Sequence, residues 1–383
     1  MRIGIDVHVL SGPPQGTASV WLNLLRHLPA GHEYWLYSFD PGQTKRLFPE
    51  RQFVHRRIAL HQSHIRIQLL YPWLARRDGC DAFHVNYYGP WFGAPGLVVT
   101  IQDLIYLDFP AYAPPGRRWQ MRVLGRLSAR AASQVTTASE YSKRRITERF
   151  GVAPEKISVV PNGLSRTWAE PDGDGLAAAW TRLAPLLPDR FLLTVGRLDP
   201  RKNLPLAARV TRELRNLGLA DGLVVVGPDD FGGAAIRRAW QTDETAGLVV
   251  HLPGLDLAEL QALYRRARCL LFLSLAEGFG MPLLEAMAMG TPIVASNRTA
   301  IPEVCGDAAL LVDPAEEEAV IRAARAVLTD GALRCELVER GRRRVLAYDG
   351  DQTARQMVDV YRRAAEEGSA VGGDVVVPPS TKA

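Results

Sequence analysis

Residues 269–296 read CLLFLSLAEGFGMPLLEAMAMGTPIVAS, and this stretch decides the fold. An apolar run with the length of a buried strand, Cys269–Leu273, ends at Ser274. A turn with Gly278 and Gly280 follows, and a helix opens at Pro282, whose fixed φ and missing N–H suit a first helical turn. That helix stops at Gly290, its C-terminal cap, and Thr291-Pro292 starts the next strand. Strand, glycine turn, helix and strand in succession predict parallel pairing. The turn then lies at the C-terminal edge of a sheet, where backbone N–H groups and the positive end of a helix dipole favour anions, phosphates above all.

The same rhythm runs outward in both directions. Strands are expected at Arg2–Asp6, Glu33–Phe39, Phe53–Ile58, Ala82–Val85, Leu97–Ile101, Gln134–Thr137 and Ile157–Val160. They alternate with helices at Val20–His27, Ile65–Arg76, Arg117–Ala131 and Glu140–Phe150. The second half has strands at Phe191–Val195, Gly222–Val226, Leu248–His251, Cys269–Leu273, Pro292–Ala295 and Ala309–Val312. Helices are expected there at Pro205–Leu217, Ala258–Arg266, Pro282–Met289 and Glu316–Leu328. Val/Ile/Leu-rich strands separated by amphipathic helices predict parallel sheets covered on both faces. Two such sets predict an α/β protein of two doubly wound, Rossmann-like domains facing each other across a cleft. The expected domains are 1–165 and 166–349, with a helix at about 350–367 crossing back to the first and a flexible tail at 368–383. Glu170–Gly175 (EPDGDG) reads as a polar, turn-forming join.

The chain has 383 residues, 47% of them apolar and 23% charged, which excludes extensive disorder and a membrane-embedded fold. Its net charge of +5 hides an asymmetry. Through Ser165 there are 20 Lys+Arg against 11 Asp+Glu, and beyond it 26 against 30. Cys80, Cys269, Cys305 and Cys335 are far apart and form no C-x-x-C, so reduced, buried thiols and a cytoplasmic protein are expected rather than zinc or disulfides. MRIGIDVHVL reads as a strand, not a signal peptide, and no apolar run is long enough to span a bilayer. No nucleic-acid-binding signature accompanies the arginines.

Two groups of residues carry chemistry. Glu277 and Glu285 bracket the glycine loop; beside a phosphate site, carboxylates suit sugar hydroxyls better than the anion itself. For Glu285 alone, complementing the helix dipole is a sufficient role. Phe279 and Met281 read as exposed in the turn. In Thr194–Asn203 (TVGRLDPRKN), Arg197, Arg201 and Lys202 follow a strand end, as cations do around a diphosphate.

At this point a resemblance enters. Glu277-Gly-Phe-Gly-Met-Pro-Leu-Leu-Glu285 resembles the E-x7-E signature of family 4 retaining glycosyltransferases of the GT-B fold. Val195-Gly-Arg-Leu, Arg201-Lys-Asn, Thr137-Ala-Ser-Glu-Tyr-Ser-Lys143, Val159-Val-Pro-Asn-Gly163 and residues 304–314 (VCGDAALLVDP) are similar to its other motifs, in the same order. The resemblance spans roughly residues 1 to 365 and implies a nucleotide-diphospho-sugar donor on the C-terminal domain. It also implies an acceptor on the N-terminal domain, retention of configuration, and no cofactor or metal. Carried over, Glu277 binds donor sugar hydroxyls, Glu285 the ribose, and Arg197 and Lys202 the diphosphate. The stretch Gly278, Phe279, Gly280, Met281, Pro282 and Leu283 lines sugar and phosphate, and Gly16 approaches the phosphates. Relatives of this kind transfer mannose or a similar hexose, which places GDP-mannose first and a UDP-sugar second.

One departure bears on mechanism. Where the family has His-Asp after the strand Val98–Ile101, this chain has Gln102-Asp103. Gln102 cannot titrate but can orient a hydroxyl, and Asp103 either contacts the acceptor or caps a turn. His84 and His8 end strands and read either as acceptor-facing or as satisfied locally. Asp172-Gly-Asp174 and Asp349-Gly-Asp351 read as turns rather than metal motifs. Arg118, Arg122, Arg126 and Arg130 recur every four residues as one stripe. Ile65–Arg77 reads as a core-facing helix with a solvated face. Together these basic stretches point to an anionic membrane surface carrying a lipid-linked acceptor, with binding that salt should abolish. The resulting expectation is a cytoplasmic hexosyltransferase of bacterial polysaccharide synthesis, peripheral at the inner face of the cell membrane. A natural-product glycosyltransferase, a non-catalytic sugar-nucleotide sensor and a sugar-nucleotide epimerase are the alternatives.

Overall fold

A computed structural model describes residues 1–11, 16–112, 115–230, 232–240 and 245–372. The chain divides into two compact units, one of residues 1–108, 113–163 and 350 onward, the other of residues 109–112 and 164–349.

The first unit holds a seven-stranded sheet of β1 (Arg2–Asp6), β2 (Glu33–Ser38), β3 (Phe53–Arg57), β4 (Ala82–Asn86), β5 (Leu97–Thr100), β6 (Gln134–Thr137) and β7 (Ile157–Val159). Their order is β3-β2-β1-β4-β5-β6-β7, and every pair is parallel. The second unit holds β8 (Phe191–Val195), β9 (Gly222–Val226), β10 (Val249–Leu252), β11 (Leu270–Phe272), β12 (Ile293–Ser296) and β13 (Leu310–Val312). They run β10-β9-β8-β11-β12-β13, again all parallel. The central strands are apolar on both faces because helices cover both sides; β8, β9 and β11 are wholly buried. In each sheet the strand order reverses once, between β1 and β4 and between β8 and β11. At such a point neighbouring connections leave on opposite faces and open a crevice beyond the strand ends.

The C-terminal helix, Gly350–Gly372, packs in the first unit, where Met357, Tyr361 and Ala364 join the core under β1 and the helix Gly16–His27. It continues through Gly372, beyond the 368 at which the sequence places a loose tail; residues 373–383 lie outside the described residues. The EPDGDG join is likewise partly helical. Asp172 accepts from the Asp174 N–H and caps a helix at Gly173–Leu183. Gly331–Val345 is a helix that the apolar pattern does not announce, because only Leu337 and Gly341 along it are buried.

Two features of the basic first half bear on the sequence reading. The helical stretch 115–131 contains a π-turn at Met121–Gly125, and Arg118, Arg122, Arg126 and Arg130 along it are all exposed, in keeping with the stripe their spacing predicts. Arg126 and Arg130 both donate to the Phe150 carbonyl, at 3.3 and 3.0 Å, where the helix Glu140–Phe150 ends. Those bonds set two of the stripe's cations against the negative end of that helix. The stretch 63–77 also contains a π-turn, Arg66–Leu70, and its Ile65, Leu69 and Trp73 face outward. Of the four free cysteines, Cys80, Cys269 and Cys305 are buried, but Cys335 is exposed.

Candidate active site

In the second unit the loops after β8 and β11 leave from the two sides of the crevice. Strand β8 ends at Val195, and Gly196 takes φ +150°. A Cβ there would lie 2.8 Å from Lys202 Cε, so glycine is what lets the lysine stem pass. The chain then makes one 3₁₀ turn, Pro200–Lys202, capped by Asp199, whose Oδ1 accepts from the Arg201 N–H at 2.9 Å. The loop after β11 is tied to this turn by the Leu275 N–H on the Arg201 carbonyl, 2.7 Å.

That bond brings Glu277 against both cations. Lys202 Nζ donates to Glu277 Oε1 at 2.6 Å and Arg201 Nη1 to Oε2 at 3.0 Å. Arg201 also donates to the Ala276 carbonyl and to Asp199 Oδ2, both at 3.1 Å. The Glu277 N–H rests on Thr299 Oγ1 at 2.9 Å. Glu277, Lys202 and Asp199 are all buried. Burial by itself pushes the Glu277 carboxyl up, yet Lys202 and Arg201 outweigh it and hold the group at about 2. Burial, helped by Arg201, lowers Lys202 against the pull of Glu277. The cluster of Asp199, Arg201, Lys202 and Glu277 is charge-balanced as it stands. An incoming polyphosphate would compete for Lys202, while Arg201 keeps Glu277 in place.

The turn then closes into the helix Met281–Met289. Gly280, at φ +110°, is its N-cap and has no side chain to occupy the first N–H groups. Gly278 and Gly280 are buried, Met281 and Pro282 half-buried, and Leu283 packs in the core. Phe279 is not exposed, contrary to the sequence reading; it is 6% accessible and meets Tyr348 edge-on at 5.7 Å. Its apolar ring gains more from that contact than from solvent. Glu285, one turn into the helix, accepts from the Tyr264 hydroxyl at 2.7 Å. Burial raises its carboxyl to about 7, against the lowering influence of that hydrogen bond. Arg197 sits apart, its Nε 3.0 Å from Asp230 Oδ2.

In the first unit Gly16 begins the helix Gly16–His27, and residues 12–15 of its loop lie outside the described residues. Gln102 follows β5; its Oε1 accepts from Asn162 Nδ2 at 3.4 Å and its carbonyl from Ser142 Oγ at 3.1 Å. Those partners come from two of the motifs, since Ser139 caps the helix Glu140–Phe150 and Asn162 lies in the Pro-Asn-Gly turn. With Trp21, Thr100, Thr137 and Thr353, Gln102 and Asn162 line a cavity beneath the strand ends. Asp103 Oδ1 accepts from the Ile105 N–H at 3.1 Å, a local cap. His84 is buried between the Tyr361 hydroxyl, 2.8 Å, and Thr100 Oγ1, 2.6 Å. Burial lowers it to about 3, which keeps the ring neutral where it lines the same cavity. His8 Nδ1 lies 2.8 Å from Asp6 Oδ1. Sequence reasoning missed Tyr264, Thr299 and the bracing role of Arg201. Asp199 alone carried a local signal, as an Asp before Pro at the start of a turn. Among the described residues no group of three or more His, Cys, Asp or Glu is placed to hold a metal, and no helix is long and apolar enough to cross a membrane.

Comparison with known proteins matches residues 183–344 to the glycosyl transferases group 1 family and residues 14–167 to glycosyltransferase family 4. The O-antigen chain mannosyltransferase B of Escherichia coli is 26% identical over 288 residues, 72% of this chain and 74% of its own. The D-inositol 3-phosphate glycosyltransferase of Kineococcus radiotolerans is 29% identical over 379 residues, 91% of this chain and 83% of its own. Among solved structures, HepE of Anabaena in complex with UDP-glucose superposes with a TM-score of 0.73 at 17% identity, covering 97% of this chain and all of that one.

Proposed function

We propose that the chain, whose two halves match glycosyltransferase family models, is a retaining, metal-independent GT-B hexosyltransferase acting from a nucleotide-diphospho-sugar. Mannose from GDP-mannose is the first choice of donor, in keeping with the mannosyltransferase relative, and a UDP-sugar the second, in keeping with HepE. The acceptor is a glycan or lipid-linked saccharide of bacterial polysaccharide synthesis, met at the cytoplasmic face of the membrane. The observation that carries this reading is the cluster of Lys202, Arg201 and Glu277 at the β8/β11 crevice, next to the helix Met281–Met289, whose N-cap Gly280 has no side chain.

In this account the diphosphate takes Lys202, Arg197 and the N–H groups after Gly280. Glu277, still held by Arg201, then offers Oε1 to the sugar hydroxyls, and Glu285 receives the ribose hydroxyls. The bond from the anomeric carbon to phosphate oxygen breaks as the bond to the acceptor oxygen forms on the same face, and the leaving phosphate takes the acceptor proton. Gln102 orients that hydroxyl without exchanging a proton, so positioning and charge stabilisation supply the rate. A thermal-shift panel of nucleotides and nucleotide sugars tests the donor half, because a ligand of the native state alone raises Tm. Stabilisation by a nucleotide sugar, lost in Lys202→Met, is expected; no shift with any member contradicts the assignment. Donor binding without transfer across a broad acceptor set would favour the sensor.

A further inference from the structure

We propose that the outward face of residues 63–77, together with the loop 89–93, docks this protein on an anionic lipid surface. Ile65, Leu69 and Trp73 follow each other at four-residue spacing and are all exposed, Leu69 by 62% and Trp73 by 54%. The opposite side of the same segment is buried through Tyr71, Leu74 and Ala75, so the exposed row is not a displaced core. Gln68 fixes the loop beside the row: its Oε1 accepts from the Trp91 N–H at 3.1 Å and its Nε2 donates to the Gly89 carbonyl at 3.3 Å. Ser128 holds Gly89 from the other side, its Oγ accepting from the Gly89 N–H at 3.0 Å. The loop thereby presents Trp91 and Phe92, the latter 67% exposed, as a fixed continuation of the row.

Charge selects the occupant. Residues 51–77 and 109–139 contain no Asp or Glu, and apart from histidines every ionisable charge in them is an arginine; residues 82–102 contain no Asp, Glu, Lys or Arg. Arg77 lies 4.5 Å over the Trp73 ring, and the Arg76 guanidinium lies within 3.4 Å of where a Cβ at Gly93 would stand. Indole and phenyl rings flanked by Arg76 and by Arg77, the latter paired with the Asp78 carboxylate at 2.8 Å, suit the boundary between headgroups and acyl chains: the rings enter and the guanidiniums stay with phosphate. A second copy on this face would set arginine against arginine, which disfavours self-association.

The inference rests on the lipid-linked acceptor of the proposed function, but its test reads binding without catalysis. The full chain is floated with vesicles of phosphatidylethanolamine and phosphatidylglycerol, and with phosphatidylcholine alone. Strong flotation is expected only with the anionic vesicles. Because apolar side chains contribute, added salt should weaken it without abolishing it, in contrast to the purely electrostatic expectation. Trp73→Ser with Phe92→Ser should lower the bound fraction by about tenfold or more, with Tm unchanged because both side chains are exposed. Leu186→Ser, an exposed apolar residue of the second unit, should leave flotation as it is. Failure to float with anionic vesicles at low salt, or equal flotation of the double variant, would overturn the proposal. So would a dimer in sedimentation that the double variant dissolves, which makes a second copy the occupant. Transfer to a water-soluble acceptor, measured without vesicles, should be equal in wild type and double variant. Its loss in wild type with flotation intact would count against the catalytic reading alone.

Discussion

Replacing Lys202 by Met and Glu277 by Gln, singly and together, shows whether these side chains act as one unit. The Glu277 carboxyl is held at about 2 against an ordinary 4.5. At about 1.4 kcal/mol per unit, that difference is worth about 3 kcal/mol to the ionised form. Lys202→Met leaves Glu277 buried with Arg201 as its remaining cation; Glu277→Gln leaves Lys202 buried without its partner. Each single change should therefore cost about 3 kcal/mol, the lower end for breaking a buried pair. The double variant should lose no more than either single one, because Arg201 keeps Asp199 and the Met and Gln fill similar volumes. Urea unfolding is the assay, each transition being fitted separately, at a series of pH values. A carboxyl depressed in the folded state contributes stability that is complete above its unfolded value of 4.5 and lost as pH falls through about 2. The gap between wild type and Lys202→Met should be full at pH 7 and close in acid. Additive losses, or a gap indifferent to pH, would refute the coupling.

Other expectations follow from the same geometry. Glu285, raised to about 7, carries a stability cost that is absent below 4.5 and grows as pH rises through 7. If ribose hydroxyls need its ionised form, nucleotide affinity by calorimetry should weaken below pH 7, and Glu285→Gln should flatten that profile. Gly196→Ala places a methyl group 2.8 Å from Lys202 Cε at an unfavourable φ, so nucleotide affinity should fall about tenfold or more, with strain of about 1–3 kcal/mol in unfolding. Arg201→Gln should lower kcat more than it raises the donor KM, because Arg201 touches Glu277 and not the proposed phosphate position; Arg201→Lys should restore part of kcat.

The architecture was legible because parallel strands enclosed on both faces are written as short apolar runs, and glycine and proline mark where they stop. The glycine turn and helix of the second unit were legible for the same reason: Gly278, Gly280, Pro282 and Gly290 leave one local conformation for them. What the sequence withheld were consequences of tertiary contact. Phe279 reads as a turn residue until Tyr348, far along the chain, covers it. Nothing near Tyr264 or Thr299 in sequence marks them as the partners of Glu285 and Glu277. The regular spacing of Arg118 to Arg130 showed four exposed arginines, but not that two of them meet the Phe150 carbonyl. Ile65, Leu69 and Trp73 have the period of a core face; only the burial of Tyr71 and Leu74 shows which side is which.

The central claim is transfer of a hexose by the crevice of the second unit, and labelled donor tests it most directly. GDP-mannose and then UDP-hexoses carrying ¹³C at the anomeric carbon are incubated with wild type and with Glu277→Gln in the presence of saccharide acceptors, and products are read by NMR. The account predicts a new glycoside with the donor's anomeric configuration, formed at least about a hundredfold more slowly by Glu277→Gln. An inverted product, or undiminished transfer by that variant, would contradict it.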